Sequence, residues 1–267
     1  MPNSPESLEA LSTIARRHTG DPLLLIASFD GVLAEYEDDP AEVRVRWNRQ
    51  QTLGRLARLP GVAVAVLSGR PLDDLKGRVD LGEDAFYIGL HGLEIAGPAF
   101  AWTAGDRLQP YRESMRHIAA GLDDIISEVP GVRVEWKGPV IAVHTRNATS
   151  KNAVWSRFRL LSAAADLVNT GSVRTIRGRD VLELVPNVGF SAGEALAVVR
   201  RQVEARHQRP AFAVYLGADT VDDDAMSALG PGGVTAVVGR RTRAEYHLES
   251  PDAVDAFLNR LVDDRLH

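Results

Sequence analysis

The sequence predicts an α/β fold in which a mostly parallel sheet carries helices on both faces, with a smaller α+β module inserted near the middle. Short, continuous apolar runs alternate with helical patterns at both ends of the chain. Runs of this kind are typical of parallel strands that are buried on both faces. The middle of the chain instead alternates helical patterns with two hairpin patterns, which is typical of a separate module.

The first part of the chain supplies three strands and their connecting helices. "LLLIAS" is a continuous apolar run, and Leu53, Leu56 and Leu59 form one stripe on a helix. Proline at position 71 suits the first position of a further helix. The predicted elements are a helix over 5–18 closed by Gly20, a strand over 23–28, a helix over 47–58, and strands over 62–70 and 86–92.

The last part of the chain continues the same alternation, whereas the middle breaks it. Strands are predicted over 212–219 and 234–239, and helices over 191–207 and 251–264. The middle reads as a helix over 107–129, a hairpin over 132–146 turning at 137–139, a helix over 150–165, and a hairpin over 172–186 turning at 177–180. We therefore expect a core domain of residues 1–103 and 185–267 and a cap domain of residues 104–184.

Composition excludes several classes of function. The chain has 267 residues, 45% of them hydrophobic and 25% charged, and a net charge of −5, which argues against a broad nucleic-acid-binding surface. No apolar run reaches membrane-spanning length, and the first twenty residues lack a secretory pattern, so a cytoplasmic location without membrane attachment is expected. Without cysteine there is no disulfide and no thiolate nucleophile.

Polar residues follow four of the predicted strands, at the edge where open parallel sheets bind ligands. They are Ser28 to Gly31, Ser68 to Arg70, His91 with Gly92, and Gly217 to Asp219. Each has an ordinary structural explanation when taken singly: a turn, a helix cap, a buried histidine or an acidic helix start. The last run continues through Asp222, Asp223 and Asp224, and carboxylates are also ligands that Mg²⁺ prefers. Their shared placement favours a site.

Seven segments together resemble the trehalose-6-phosphate phosphatase family of the haloacid-dehalogenase-like (HAD) superfamily. In chain order they are "SFDGVLAEYEDDP", "VAVLSGRPLDDL", "YIGLHGLEIAG", "VEWKGPVIAVHTR", "VLELVPNVGFSAGEAL", "YLGADTVDDDAM" and "VVGRRTRAEYHLESPDAV". The resemblance covers nearly the whole chain. It implies a Rossmann-like core, a mobile cap, Mg²⁺ as cofactor and a sugar phosphate as ligand.

The chain departs from the family at three chemical positions. Ser28 stands where the family has its nucleophilic, metal-binding Asp, although Asp30 matches the general acid/base, whose backbone carbonyl also meets the metal. Ala192 replaces a Lys, and Ala218 replaces the principal Mg²⁺-binding Asp. Asp219 and Asp222 persist as candidate ligands of a weak metal site. Losing one charge-stabilising group typically costs roughly 3 to 4 kcal/mol of transition-state stabilisation, so Mg²⁺ binding and hydrolysis are expected to be weak or absent.

The resemblance preserves more of the binding groups. Ser68 and Arg70 match the motif whose Ser contacts phosphate, and Gly69 and His91 are predicted to belong to the same site. In the predicted cap, the family's sugar-binding positions are Glu135, Lys137, His144, Arg146 and Glu183. Without the resemblance, these alternating charges would equally fit a solvated hairpin face.

These observations predict a trehalose-6-phosphate-phosphatase-like protein of trehalose metabolism with degraded catalytic motifs. It is expected to bind a sugar or sugar phosphate, or to act as a regulatory subunit with a protein partner. The alternative is an active Mg²⁺-dependent sugar-phosphate phosphatase with a rewired site, using Ser28 or a metal held by Asp219 and Asp222. A third reading is a pure interaction module with a vestigial cleft.

Overall fold

The computed structural model describes residues 4–126, 128–230, 232–239 and 244–266, which separate into two compact units. The first unit comprises residues 1–103 and 191–267, and the second comprises residues 104–190. The second boundary differs from the expected one at residue 184, because the last strand of the cap pairs as far as Pro186 with Val173. Residues 240–243, part of the last segment that carried the resemblance, lie outside the described residues.

The elements before the insertion belong to the first unit. They are α1 (Ser4–Arg17), β1 (Leu23–Ser28), α2 (Trp47–Arg58), β2 (Val62–Leu67), α3 (Leu72–Arg78), β3 (Phe86–Gly89), β4 (Glu94–Gly97) and β5 (Phe100–Thr103). Proline 71 lies just before α3, as its N-cap, rather than within it. The strands β1 and β2 are buried along their whole length, as their continuous apolar sequences predicted.

The second unit is the inserted cap. Its elements are α4 (Gly105–Ile126), β6 (Arg133–Trp136), β7 (Ile141–His144), α5 (Ser150–Ala163), α6 (Ala165–Asn169), β8 (Val173–Gly178) and β9 (Val181–Pro186). The strands form an antiparallel sheet in the order β6-β7-β9-β8. Apolar side chains of α4 and α5, such as Met115 and Leu160, pack on one face of it against Val143 and Leu182.

The chain then returns to the first unit with α7 (Ala192–His207), β10 (Phe212–Gly217), α8 (Asp223–Ala228), β11 (Gly233–Val238), β12 (Tyr246–Leu248) and α9 (Pro251–Leu266). The eight-stranded sheet has the order β12-β11-β10-β1-β2-β3-β4-β5. It is parallel except for β4 and β5, which extend one edge antiparallel. The strands β4, β5 and β12 were not predicted from the sequence.

Apolar layers cover the central strands. The side chains of Leu23, Leu25 and Ala27 on β1 belong to the same buried cluster as residues of α1, α2 and α9. The helices α7 and α8 pack together, and α7 contacts β2 and β3. Among the described residues no helix combines the length and the apolar character needed to cross a bilayer.

Three predicted strands end earlier than expected, each just before residues of the candidate site. β2 ends at Leu67, and β10 ends at Gly217, two residues before Asp219 caps a short 3₁₀ turn over 220–222. β3 ends at Gly89, because Leu90 and His91 adopt positive φ angles of 47° and 55°, which no strand accommodates. The chain therefore turns sharply where the polar residues lie.

Candidate functional site

The candidate site of the first unit lies at the carboxyl ends of neighbouring strands. β1 pairs in parallel with both β10 and β2, and Ser28 is in register with Leu67. Ser28, Ser68 and Ala218 therefore leave the sheet at the same edge. This placement agrees with the expectation that the polar residues after separate strands meet.

Ser28 is tied into a buried hydrogen-bonded cluster with Asp222 and Tyr215. Its hydroxyl donates to Oδ1 of Asp222 and lies 3.1 Å from Oη of Tyr215. The Tyr215 hydroxyl also donates to Oδ1 of Asp222, at 2.8 Å. Ser28 is only 5% exposed and Asp222 only 1%. The hydroxyl at the nucleophile position is thus directed toward an internal carboxylate.

The second oxygen of Asp222 is also occupied by donors of the chain. Oδ2 accepts from the backbone N–H groups of Ala218, at 2.8 Å, and of Asp219, at 3.1 Å. Burial raises the pKa of Asp222, although its hydrogen bonds oppose that shift. Burial also raises the pKa of Tyr215, and the adjacent Asp222 charge adds to the effect. Asp222 therefore organises the turn after β10, and the metal role predicted for it does not fit this geometry.

Asp30 is paired with Arg70 in the same region. Arg70 donates from Nη2 to Oδ1 of Asp30 at 3.0 Å and from Nε to Oδ2 at 3.3 Å. The Ser68 hydroxyl donates to Oδ2 of Asp30 at 3.3 Å, and the guanidinium lies 5.2 Å from the ring centroid of Phe29. The structure therefore brings Asp30, Ser68 and Arg70 together as predicted, with Gly69 between the last two.

A chain of charges extends from Arg70 away from Asp30. Arg70 also bonds Asp74 at 3.3 Å, and Asp74 accepts from Nε of Arg78 at 2.8 Å. Burial alone would lower the pKa of Arg70, but the charge and hydrogen bond of Asp30 raise it overall. For Asp74, burial opposes ionisation, yet the hydrogen bond and charge of Arg78 lower its pKa. Arg70 therefore stays charged and held in position.

His91 lies beside this group, on the turn after β3. The residue is buried, and its backbone N–H donates to the carbonyl of Ser68 at 3.2 Å. A Cβ on the following Gly92 would lie 2.4 Å from the carbonyl oxygen of Ser191, so only glycine permits this close approach of the turn to the start of α7. This backbone hydrogen bond places His91 next to Ser68, one of the residues predicted to bind phosphate.

Ala192 is the first residue of α7 and is 5% exposed. Ser191 caps the helix, its hydroxyl accepting from Gly193 N–H at 3.2 Å. The same N–H donates to Asp224 at 3.0 Å. The side chain at the position where the resemblance implies a lysine is therefore a methyl group only.

The donor set does not fit Mg²⁺, which needs several oxygens in near-octahedral geometry. Ser28 offers a neutral hydroxyl already bonded to Asp222, and the side chain of Ala218 offers no ligand atom. Asp219 accepts from Thr220 N–H at 2.7 Å as the cap of the 3₁₀ turn. Within residues 4–126, 128–230, 232–239 and 244–266, no group of three or more His, Cys, Asp or Glu residues is placed to hold a metal ion.

The cap contains a second charged cluster of its own. Lys137 Nζ lies 2.7 Å from Oε1 of Glu183, and His144 Nε2 lies 2.7 Å from Oε2 of Glu135. The strand register places Glu135, Ala142 and Glu183 side by side across β6, β7 and β9. Four of the five predicted cap residues therefore share one face of the sheet, opposite the face packed by α4 and α5.

The electrostatics of this cap cluster centre on Glu135. Burial disfavours its charged form, but the hydrogen bond from His144 and the charge of Lys137 lower its pKa to about 2. The fifth predicted residue, Arg146, lies 4.0 Å from Asp180, near the hairpin turn of β8 and β9.

Sequence reasoning missed two residues of the first unit. Tyr215 carries the only side-chain hydroxyl in the buried strand "FAVYLG", and that isolation was the available signal. Asp74 lies four residues after Arg70 and four before Arg78, a spacing that favours ion pairs on a helix.

Comparison with known proteins identifies relatives along the whole chain. The family model Trehalose-phosphatase matches residues 26–252. The trehalose-phosphate phosphatase of Mycobacterium ulcerans is 33% identical over 272 residues, covering 98% of this chain and 67% of that protein. The enzyme of the same name from Mycobacterium tuberculosis strain H37Rv is 32% identical, covering 98% and 66%. The chain thus spans about two thirds of the length of these mycobacterial relatives.

Solved structures share the fold at lower identity. The C-terminal domain of Candida albicans trehalose-6-phosphate phosphatase superposes with a TM-score of 0.81 at 19% identity, covering 98% of this chain and 97% of that domain. The C-terminal domain of the Candida albicans trehalose synthase regulatory protein gives a TM-score of 0.70 at 14% identity, covering 97% and 99%. One fold therefore occurs in a phosphatase and in a regulatory protein.

Proposed function

Because this chain belongs to the trehalose-phosphatase family, we propose that it binds a sugar phosphate of the trehalose-6-phosphate type without hydrolysing it by the family's aspartyl-phosphate route. The observation that carries the proposal is the buried hydrogen bond from Ser28 to Asp222. A carboxylate nucleophile is replaced by a hydroxyl whose proton is directed to an internal acceptor. The fold alone decides nothing, since it also occurs in a regulatory protein.

Phosphate recognition is assigned to Arg70 and Ser68. Arg70 pairs with the carboxylate of Asp30 through two hydrogen bonds. An entering phosphate accepts donors of the same kind, and an Arg fork binds phosphate oxygens in bidentate geometry. The Ser68 hydroxyl, which now donates to Asp30 at 3.3 Å, supplies a further donor. On binding, a phosphate would therefore take the place of the Asp30 carboxylate as the partner of the part-buried Arg70 guanidinium.

Turnover lacks both a nucleophile and a means to offset charge. Covalent phosphoryl transfer requires an activated nucleophile and cations that stabilise the charge on the transferred group. Ala192 and Ala218 supply neither, and Asp222 gives Ser28 no route to a solvent base because it is itself buried. Of the family's pair of catalytic aspartates, only the acid/base position keeps its carboxylate, as Asp30, whereas Ser28 stands at the nucleophile position. We therefore propose a role in sensing or regulation within trehalose metabolism, exerted through a protein partner.

The cap is proposed to contribute sugar recognition by its own charged face. Glu135, Lys137, His144 and Glu183 present both donors and acceptors on one side of the sheet. Sugar hydroxyls both donate and accept hydrogen bonds, so paired opposite charges suit them.

The test combines binding and turnover. Calorimetry measures the affinity for trehalose-6-phosphate, and a phosphate-release assay with Mg²⁺ runs on the same protein. We expect binding that weakens at least tenfold in Arg70→Gln, no change in the exposed-surface control Arg201→Gln, and no release above the Asp30→Asn background. Release on the order of 1 s⁻¹, a typical enzymatic rate, would establish the active phosphatase instead. Absence of binding would favour the interaction module.

A further inference from the structure

The backbone turn after Asp30 folds the chain back on itself and carries a tyrosine toward the site. Asp30 and Ala34 form a β-bridge, and Gly31 N–H donates to the carbonyl of Ala34 at 2.8 Å. Gly31 has a φ of +85°, a conformation that glycine adopts without strain. Because the chain reverses here, the half-buried Tyr36 lies over the turn rather than beyond it.

Tyr36 and Ala218 approach the same point from two directions. A Cβ placed on Gly31 would lie 2.7 Å from the Tyr36 hydroxyl and 2.7 Å from the Ala218 methyl group. The hydroxyl and the methyl are therefore no further apart than twice that distance. A carboxylate at position 218 adds three atoms beyond its Cβ, so the hydroxyl stands close to where such a group would reach.

We propose that the Tyr36 hydroxyl is a ligand-binding group that takes the place of a divalent cation at this edge of the sheet, donating a hydrogen bond to an oxygen of the bound phosphomonoester. This inference rests on the proposed function and adds to it a specific donor and independence from metal. A phenolic hydroxyl is neutral, and it both donates and accepts. It therefore needs no carboxylates around it, unlike a cation.

The surrounding charges agree with this assignment. The carboxylate of Asp30 is matched by the Arg70 guanidinium at 3.0 Å, and Ala218 adds no negative charge. The Tyr36 hydroxyl beside Gly31 would add a neutral donor to the two donors, the Arg70 guanidinium and the Ser68 hydroxyl, that bond Asp30, the residue before Gly31. Hydrogen bonds to an ionised acceptor are about twice as strong as neutral ones, which gives the hydroxyl a measurable share of the affinity.

The experiment measures binding of trehalose-6-phosphate, and separately of inorganic phosphate, by calorimetry in buffer containing EDTA. Tyr36→Phe keeps the ring and removes only the hydroxyl, so it is expected to weaken binding about 10- to 100-fold. Tyr36→His retains a donor and should recover part of the loss. Tyr246→Phe, a half-buried tyrosine of the same unit on β12, is the matched control and should bind as the unaltered protein does. Thermal unfolding verifies that each variant is folded.

The outcomes separate this inference from the function on which it rests. If the unaltered protein binds neither ligand, the proposed function fails and this inference fails with it. If it binds but Tyr36→Phe binds equally well, only the role of Tyr36 is refuted. An affinity that rises tenfold or more when millimolar Mg²⁺ replaces EDTA would also overturn the claim, since the site would then depend on a cation.

Discussion

Replacing Ser28 by Asp should destabilise the protein at neutral pH rather than restore a nucleophile. The Ser28 hydroxyl bonds directly to Asp222, and both residues are buried. An introduced carboxylate would place two negative charges about 4 Å apart, a repulsion of about 4 kcal/mol at an effective dielectric constant near 20. The introduced carboxyl can also escape this repulsion by taking up a proton. Protonation at pH 7 costs about 4 kcal/mol, because about three pH units separate pH 7 from an ordinary Asp pKa and each unit is worth about 1.4 kcal/mol. The loss of stability at pH 7 is therefore at most about 4 kcal/mol.

The loss of stability caused by Ser28→Asp should depend on pH. The introduced carboxyl has a folded-state pKa above its unfolded value, so the cost is present at pH 7 and disappears as pH falls below about 4. Urea denaturation followed by circular dichroism measures it, with Ser28→Asn as the neutral variant of similar shape. The matched surface pair is Ser114→Asp and Ser114→Asn, at an exposed position of α4. This surface pair should differ by less than about 0.5 kcal/mol.

Two results would refute the reasoning. One is equal stability of the Asp and Asn variants of Ser28 at pH 7, which would mean that the carboxylate of Asp222 is not adjacent or is already neutralised. The other is a difference that persists unchanged below pH 4, which would point to steric strain rather than charge.

Three further predictions concern turnover, the acid stability of the cap and a buried arginine of the first unit. The triple variant that combines Ser28→Asp, Ala192→Lys and Ala218→Asp should release phosphate from trehalose-6-phosphate with Mg²⁺ far faster than the sum of the three single variants, because the three groups act as one unit. A triple variant that is folded but inactive would contradict this prediction. Glu135, with a pKa of about 2, should stabilise the cap above pH 4.5 and lose that contribution toward pH 2, so Glu135→Gln should flatten the acid limb of a thermal-unfolding series. Arg49→Met should lower the free energy of unfolding by about 3 to 5 kcal/mol, because it leaves the part-buried carboxylate of Asp255 and three backbone carbonyls without their donor. A loss below about 1 kcal/mol in urea denaturation would show that these bonds contribute little.

The strands that are buried on both faces of the sheet could be predicted from the sequence. β1, β2 and β10 are each six residues long and buried throughout, so their composition alone identifies them. β4, β5 and β12 are three or four residues long and partly exposed. Such short segments carry no periodicity that separates them from loops. Their pairing with neighbours, rather than local preference, makes them strands.

The location of the site could also be predicted from the sequence, but the hydrogen-bond partners of its residues could not. Parallel strands bring their carboxyl ends together, which places Ser28 near the turn after β10 whatever the loops contain. Nothing local says which of four nearby aspartates points inward. Asp222 lies 194 residues from Ser28 and becomes its partner only through the tertiary fold. The same limit hid Tyr36, whose position depends on the turn at Gly31.

The interruption of the first unit by the cap sets an order for folding during synthesis. The central strand β1 needs β10 as its neighbour, and the paired residues Leu23 and Phe212 lie 189 positions apart in the chain. All residues of the cap sheet, by contrast, emerge consecutively and end at Pro186. A growing chain can therefore close the cap while β1 still has an unpaired edge, and such an edge is a template for association with other chains. The N-terminal half of this molecule thus depends on late-made residues for protection, so the period before β10 leaves the ribosome is the one in which a chaperone would matter most.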